Sequence, residues 1–319
     1  MANISIVNYC NLKCPYCFAN DMINNDNYTI SLEELNKILD FCKKTGEFVG
    51  IIGGEPTLHP QFNEILNKFK EYKLFYMNRR VKIFSNGIEL EPYLYSDNFY
   101  DYFELLININ HPDCLTNEQY NKTIKTLDKL KEDDAFLKAA GLSCNFYPLR
   151  NDYDYIWDII KKYDIRELRV SACAPGGQLK KFIGKKEEYY NIVKDIFIKQ
   201  CELAKKNNVF LTLDCNNVPL CYYTNKELEL IKSITMQAHR ICDDPVVDIM
   251  FGKKISACFG AYDLIDHNLF DFNDMNEVRR YLKLNRVYPK IIKNGTGKCA
   301  TCKQYELTQC QGGCLGFVK

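Results

Sequence analysis

No stretch of the 319-residue sequence approaches the roughly 20 apolar residues that a bilayer-spanning helix needs. The opening residues, MANISIVNYC, lack the basic segment and long apolar run of a secretory signal. The formal net charge is only +1, with 42 Lys and Arg against 41 Asp and Glu, and the charges are interspersed. That balance gives no reason to expect a nucleic-acid or membrane partner. Internal repeats and low-complexity linkers are absent. Histidine is scarce at four residues, and His59 and His111, each followed by proline, read as turn residues rather than bases. Cysteine, by contrast, is abundant, with 16 residues. A secreted disulfide scaffold would account for it, but the missing signal argues for a cytoplasmic chain. There, close-set thiols more often bind metal or iron–sulfur clusters.

Hydrophobic residues make up 46%, enough for a sizeable core in one large domain or a domain with an appendage. Up to about residue 206, short apolar runs alternate with amphipathic stretches. NISIVNY, FVGIIGGEP, VKIFSNG, YFELLININ, LSCNFYPL and LRVSACAP read as six strands. Between them, helices are predicted over 31–44, 61–72, 117–131 and 153–162, with a long one over 187–206. The first is marked by a Ser31/Glu34 capping box. Such alternation predicts an α/β fold of parallel strands wrapped by helices, a partial (β/α)6 TIM-like barrel. Active sites of such folds lie at the C-terminal strand ends. After residue 207 the texture changes to short strands, a hairpin turning at Gly252-Lys253, and a cysteine-dense tail. The expected domains are therefore 1–206 and 207–319.

YCNLKCPYCF places Cys10, Cys14 and Cys17 in C-x3-C-x2-C spacing just after the first strand. Three thiolates would leave one iron of a 4Fe-4S cube open to an exogenous amine and carboxylate. A structural zinc site would favour two C-x2-C knuckles. The segment resembles the signature of the radical S-adenosylmethionine superfamily, including the aromatic Tyr16 before the last cysteine. GGEP, Gly53 to Pro56, resembles the family stretch that meets the amino group of the cofactor's methionine moiety. There Gly53 and Gly54 would leave room for a ligand and Glu55 would hold the ammonium. SNG, with Ser85 and Asn86, falls where the family contacts the ribose or carboxylate. Asn108, Asn145 and Ser171 are further strand-end polar residues within reach of cofactor or substrate. The resemblance implies that a reduced cluster passes one electron into S-adenosylmethionine. The resulting 5′-deoxyadenosyl radical takes a hydrogen atom from a substrate.

The second half carries Cys242, Gly252 and Cys258, then Cys299-x2-Cys302-x7-Cys310-x3-Cys314. This resembles the SPASM extension, which binds up to two auxiliary 4Fe-4S clusters, although the x7 gap and the lack of a later cysteine depart from its pattern. The family arrangement implies Cys242, Cys258 and Cys314 on one cluster and Cys299, Cys302 and Cys310 on the other. Cys221 or Cys215 is available as a fourth ligand. A single-cluster "twitch" variant and a zinc ribbon remain alternatives. Cys42, Cys144 and Cys201 read as core residues. Cys173, at the sixth strand end, is a candidate hydrogen-atom donor, and Arg150 and Arg169 either hold a carboxylate or pair with an acid.

The resemblance implies an enzyme acting on a ribosomally made peptide or protein by crosslinking, oxidation or epimerisation. It would be served by an electron donor such as flavodoxin or ferredoxin. Cys10 comes too early for an N-terminal leader-binding domain, so a leader would be read by the barrel or by a separate protein. The alternatives are a small-molecule dehydrogenase or rearrangement enzyme and a non-enzymatic iron–sulfur protein.

Overall fold

The computed structural model describes residues 1–24, 27–76, 79–214, 218–235, 242, 246–258, 267–295 and 297–318. Nine strands occur among them: β1 Ala2–Ser5, β2 Val49–Ile52, β3 Val81–Ser85, β4 Phe103–Asn108, β5 Ala140–Phe146, β6 Glu167–Ala172, β7 Phe210–Leu213, β8 Val247–Ile249 and β9 Ile255–Ser256. The first six are the strands expected from the apolar runs.

The chain forms two compact units, and neither is continuous in sequence. The first comprises Met1–Lys13, Ala19–Gly141 and Asp244–Lys283; the second comprises Cys14–Phe18, Leu142–Asp243 and Leu284–Lys319. Contacts therefore do not divide the chain at residue 207.

In the first unit the strand order is β4-β3-β2-β1-β8-β9. The pairs from β4 to β8 are parallel, and only β8 with β9 is antiparallel. β2 is buried at all four positions, as a continuous apolar run covered on both faces should be. The expected hairpin forms as β8–β9, with Gly252 at φ +68° and Lys253 at φ +64°. Its placement was not foreseen: β8 runs parallel to β1, pairing Ala2 with Val247 and Ile4 with Ile249. Asn3 Nδ2 donates to Asp248 Oδ1 at 2.8 Å across that pair.

The helix Leu32–Lys43 starts where the capping signal placed it, but only half of the capping box forms. Ser31 Oγ accepts from Glu34 N at 3.0 Å. The Glu34 carboxylate engages the Tyr28 phenol and helps to raise its pKa, after burial.

In the second unit β5, β6 and β7 are parallel neighbours. β7, in a segment expected as a short strand, is thus a seventh parallel strand; its alternating burial suits one covered face. The helix Lys186–Lys206 buries Tyr189, Val193, Ile196, Phe197, Cys201 and Ala204, the inward face expected from its periodicity. Trp157, on the helix Asp154–Tyr163, donates its indole N–H to Gln200 Oε1 at 2.7 Å, both groups being buried. Cys42, Cys144 and Cys201 are all core residues.

Replacing Gln200 with Leu orphans that indole donor. We expect a loss of about 1–3 kcal/mol, read as a lower midpoint in urea with an unchanged slope.

Candidate functional site

The cysteine loop leaves β1 and belongs in its first leg to one unit and in its second leg to the other. The first leg, Val7 to Tyr9, lies against the end of β2. Gly54 N donates to Val7 O at 2.8 Å and Glu55 N to Tyr9 O at 2.9 Å. A Cβ on Gly53 would lie 2.4 Å from Val7 O, and one on Gly54 2.2 Å from Tyr9 O. Both values are far inside van der Waals contact, so only glycine allows this backbone-to-backbone seat. The space expected for a ligand is occupied by the chain's own loop.

The second leg has a matching seat that sequence reading missed. A Cβ on Gly176 would lie 2.3 Å from Phe18 Cα. Gly177, at φ +52°, would place one 2.9 Å from Pro15 O, and Gln178 N donates to that same oxygen at 3.0 Å. Cys17 N closes a turn onto Cys14 O at 3.1 Å. The only signal was the Gly-Gly dipeptide that follows SACAP.

Glu55 is a buried staple rather than an open arm. It is 1% exposed. Oε1 accepts from Thr57 N at 3.3 Å, Thr57 Oγ1 at 2.7 Å and Ser85 Oγ at 2.8 Å, and Oε2 accepts from Asn86 N at 2.8 Å. Burial raises its pKa, while the Asn86 backbone, Thr57 and Ser85 act in the opposite sense. Four donors offset much of the desolvation. With Oε1 saturated, only Oε2 keeps room for an ammonium donor. Pro56 opens the short 3-10 turn Pro56–Leu58 that Glu55 caps.

Asn86 carries this network to the cysteines. Its Nδ2 donates to Asn11 Oδ1 at 2.8 Å and reaches Cys10 Sγ at 3.9 Å. Cys10 N donates to Asn24 Oδ1 at 3.0 Å, Leu12 N to Cys10 Sγ at 3.4 Å, and Gln119 Nε2 to Asn11 O at 2.9 Å. N–H groups aimed at sulfur favour the thiolate that a cluster requires, so the donor set fits the implied iron–sulfur group. Asn11, Asn24 and Gln119 carry no spacing signal and were not anticipated.

The other expected residues fall into place unevenly. Asn108 ends β4 and its Nδ2 donates to Asn110 Oδ1 at 3.3 Å. Asn145 and Ser171 are register partners on β5 and β6, and Ser171 Oγ donates to Asn145 Oδ1 at 2.6 Å. The Tyr16 ring packs on Tyr147 with centroids 4.9 Å apart. Arg169 pairs with Asp214 at 2.6 Å, and Arg150 Nε donates to the Tyr147 hydroxyl at 3.2 Å. Cys173 is buried, and its carbonyl accepts a short hydrogen bond from the Tyr189 hydroxyl. Burial, followed by the charges of Cys144, Cys14 and Cys17, holds its thiol well above the ordinary range, so it stays protonated.

The tail thiols of the second unit sort into two neighbourhoods. Gly312 N donates to Cys310 Sγ at 3.4 Å, and a Cβ on Gly312 would lie 3.3 Å from Cys299 Sγ. The pKa of Cys221 is raised by burial first and then by Cys310, Cys299 and Cys302. Cys314 is pushed up to about 12, by burial first and then by Cys242. Gly316 N donates to Cys314 Sγ at 3.4 Å and Gln311 Nε2 to Cys242 Sγ at 3.1 Å. Cys258 belongs to the first unit, where its N–H donates to Ser256 Oγ at 3.2 Å. Cys215 lies outside the described residues. Among the described residues, no three His, Cys, Asp or Glu side chains are arranged around a single metal ion.

Two outcomes follow from this geometry. Gly54→Ala and Gly176→Ala each force a backbone shift under a leg of the cysteine loop. We expect a cost of about 1–3 kcal/mol and less iron per chain after anaerobic reconstitution, whereas Gly141→Ala, whose Cβ would meet Leu106 Cδ1 at an ordinary 3.7 Å, should retain the iron. His59 provides a pH test. Burial lowers its pKa below the ordinary 6.5, while the Ile30 carbonyl, 2.9 Å from Nε2, acts the other way. The neutral ring is the folded form, so its stabilisation is present above pH 6.5 and is lost as pH falls through the lower folded value. The melting temperature should drop on acidification through that window, and less steeply in His59→Gln.

Residues 4–137 match the family model of the Radical SAM superfamily. Among curated proteins, a probable GTP 3′,8-cyclase of Methanocaldococcus jannaschii is 31% identical over 199 residues, covering 59% of this chain and 62% of that protein. An S-adenosylmethionine-dependent nucleotide dehydratase of Selenomonas ruminantium is 31% identical over 107 residues, covering 33% and 36%. The chain thus spans less than two thirds of the length of these relatives. Among solved structures, Streptococcus suis SuiB bound to precursor peptide SuiA aligns with TM-score 0.67 and 17% identity, covering 98% of this chain and 71% of that one. anSMEcpe with bound AdoMet and Cp18Cys peptide aligns with TM-score 0.66 and 18% identity, covering 98% and 88%. At such identity the likeness is one of fold. By that family match, residues 4–137, which include the three-cysteine loop, carry a domain of the radical S-adenosylmethionine superfamily.

Proposed function

We propose that this protein is an enzyme that cleaves S-adenosylmethionine reductively and uses the resulting radical to take hydrogen from a peptide or protein substrate. The observation that carries the reading is the seated cysteine loop, two legs on two glycine pairs with N–H donors aimed at Cys10. When bound at Cys10, Cys14 and Cys17, a 4Fe-4S cluster supplies the single electron for that cleavage. The chain's own contribution is to fix the thiols, to offer Glu55 Oε2 and the strand-end residues Ser85, Asn86, Asn108, Asn145 and Ser171 to the cofactor, and to exclude water.

A peptide substrate is supported by the fold match along 98% of the chain to proteins bound to peptides. A nucleotide-sized substrate is the second reading, favoured by the curated relatives at 31% identity, a cyclase acting on GTP and a nucleotide dehydratase. In this proposal the tail thiols hold one or two auxiliary clusters, and Cys221 joins Cys299, Cys302 and Cys310. An electron carrier such as flavodoxin or ferredoxin supplies the electron, and a separate protein presents any leader. Protonated Cys173 suits epimerisation: its S–H bond breaks as a C–H bond forms on the substrate radical. The carrier and water then return one electron and one proton to the sulfur.

Anaerobically reconstituted protein, S-adenosylmethionine and dithionite should yield 5′-deoxyadenosine. Its absence from an iron-loaded sample would point to an electron-transfer protein instead. Adding the short peptides encoded beside the gene, or GTP, tests the substrate by mass spectrometry. Loss of two hydrogens from a peptide supports crosslinking or oxidation. Unchanged mass with deuterium gained from solvent supports epimerisation, which Cys173→Ala should abolish while 5′-deoxyadenosine formation persists. Turnover of GTP with inert peptides would overturn the peptide reading.

A further inference from the structure

Asn11 is gripped at two points, and both grips bear on Cys10. All the residues concerned lie in the first unit. Asn86 Oδ1 accepts from Ile88 N at 3.0 Å, which turns its Nδ2 toward Asn11 Oδ1, 2.8 Å away. Gln119 Nε2 donates to Asn11 O at 2.9 Å. The Gln119 carboxamide has its orientation fixed, because its Oε1 accepts from Thr116 N at 2.9 Å. That bond is half of the capping box that starts the helix Asn117–Glu132; the other half runs from Gln119 N to Thr116 Oγ1 at 3.2 Å. Two turns further along the same face, Thr126 Oγ1 donates to Gly87 O at 2.7 Å, so the helix is also tied to the SNG turn.

A capping box needs only the Oε1 bond, and a Glu in place of Gln119 would cap equally well. The Nε2 bond to the cysteine loop is a second use of the same side chain. What it does follows from peptide geometry. The Asn11 carbonyl and the Leu12 N–H belong to one planar trans group and point in opposite directions. Holding the oxygen on Gln119 aims the N–H the other way, and there Leu12 N donates to Cys10 Sγ at 3.4 Å. A hydrogen bond to a ligand sulfur raises the potential of an iron–sulfur group, because it stabilises the more negative reduced state. We propose that Gln119 is a positioning residue: through the Asn11–Leu12 peptide group it aims the Leu12 N–H at Cys10 Sγ, and so sets the reduction potential of the group that Cys10 ligates. The potential rests on the radical reading above; the orientation of the peptide group stands apart from it.

Three variants of the full chain separate the roles. Gln119→Glu keeps an oxygen for Thr116 N but has no donor for Asn11 O. Gln119→Leu has neither. Thr116→Ala removes the Oγ1 half of the cap and leaves both bonds of the Gln119 carboxamide. Hydrogen–deuterium exchange, resolved to Leu12 by overlapping peptides, should be about tenfold faster there in both Gln119 variants and unchanged in Thr116→Ala. After anaerobic reconstitution, the cluster whose electron paramagnetic resonance signal responds to S-adenosylmethionine should titrate at a more negative potential in both Gln119 variants, with iron content kept. Thr116→Ala should titrate as the wild type. Wild-type exchange at Leu12 in Gln119→Glu would overturn the proposal and leave Gln119 as a cap. An equal change in Thr116→Ala would overturn it too, as a general loosening of the helix start. So would a fall in potential in Gln119→Glu but not in Gln119→Leu, which would trace to the added charge. If the Gln119 variants hold no iron, exchange at Leu12 decides. A wild-type chain with no cluster that responds to S-adenosylmethionine would sink the radical reading instead, and the exchange measurement would still judge the peptide orientation.

Discussion

Everything proposed for this protein depends on a backbone-to-backbone contact that side chains would forbid. The loop bearing Cys10, Cys14 and Cys17 presses its first leg on Gly53-Gly54 and its second on Gly176-Gly177, at distances where a Cβ would meet carbonyl oxygen or Cα. Each leg held this way has few conformations left to lose. Glycine here acts less as a flexible residue than as the absence of a side chain at four places where the chain touches itself.

Around that contact runs a polar network that begins at a buried carboxylate. Glu55 collects donors from Thr57, Ser85 and Asn86, and Asn86 passes on to Asn11 and Cys10. Burying a carboxylate is costly unless its oxygens are satisfied, and satisfied networks rigidify the elements they join. The strand ends that carry GGEP and SNG are thereby locked to the cysteine loop. The same residues that resemble cofactor contacts also hold the site together, so loss of activity on mutating Glu55 or Ser85 would report both roles at once.

The tail is organised by different means. Its turn at Gly312-Gly313 takes φ values of +78° and +105°, and Asn294 and Lys186 bind the carbonyls it exposes. Tyr190 fills the space beside Gly313 and accepts from Cys314 N. These contacts set Cys299 and Cys310 beside one glycine and leave Cys314 buried near Cys242.

The sequence by itself determined the local elements. Six strands, the long helix with its inward face, the Ser31 cap and the Gly252-Lys253 turn all follow from periodicity and turn chemistry acting over a few residues. The spacing of Cys10, Cys14 and Cys17 likewise carried the resemblance to the radical S-adenosylmethionine superfamily, because such spacing is a local property. Only the tertiary structure decided which distant segments meet. β8 joins β1 across more than 240 residues of chain, and β7 continues a parallel run beyond the six strands expected. Gly176-Gly177 reaches back to Pro15 and Phe18, and Glu55 accepts from Ser85 on a different strand end. Such pairings depend on hydrogen bonds and excluded volume between residues far apart in sequence, and no local pattern of side chains encodes those contacts.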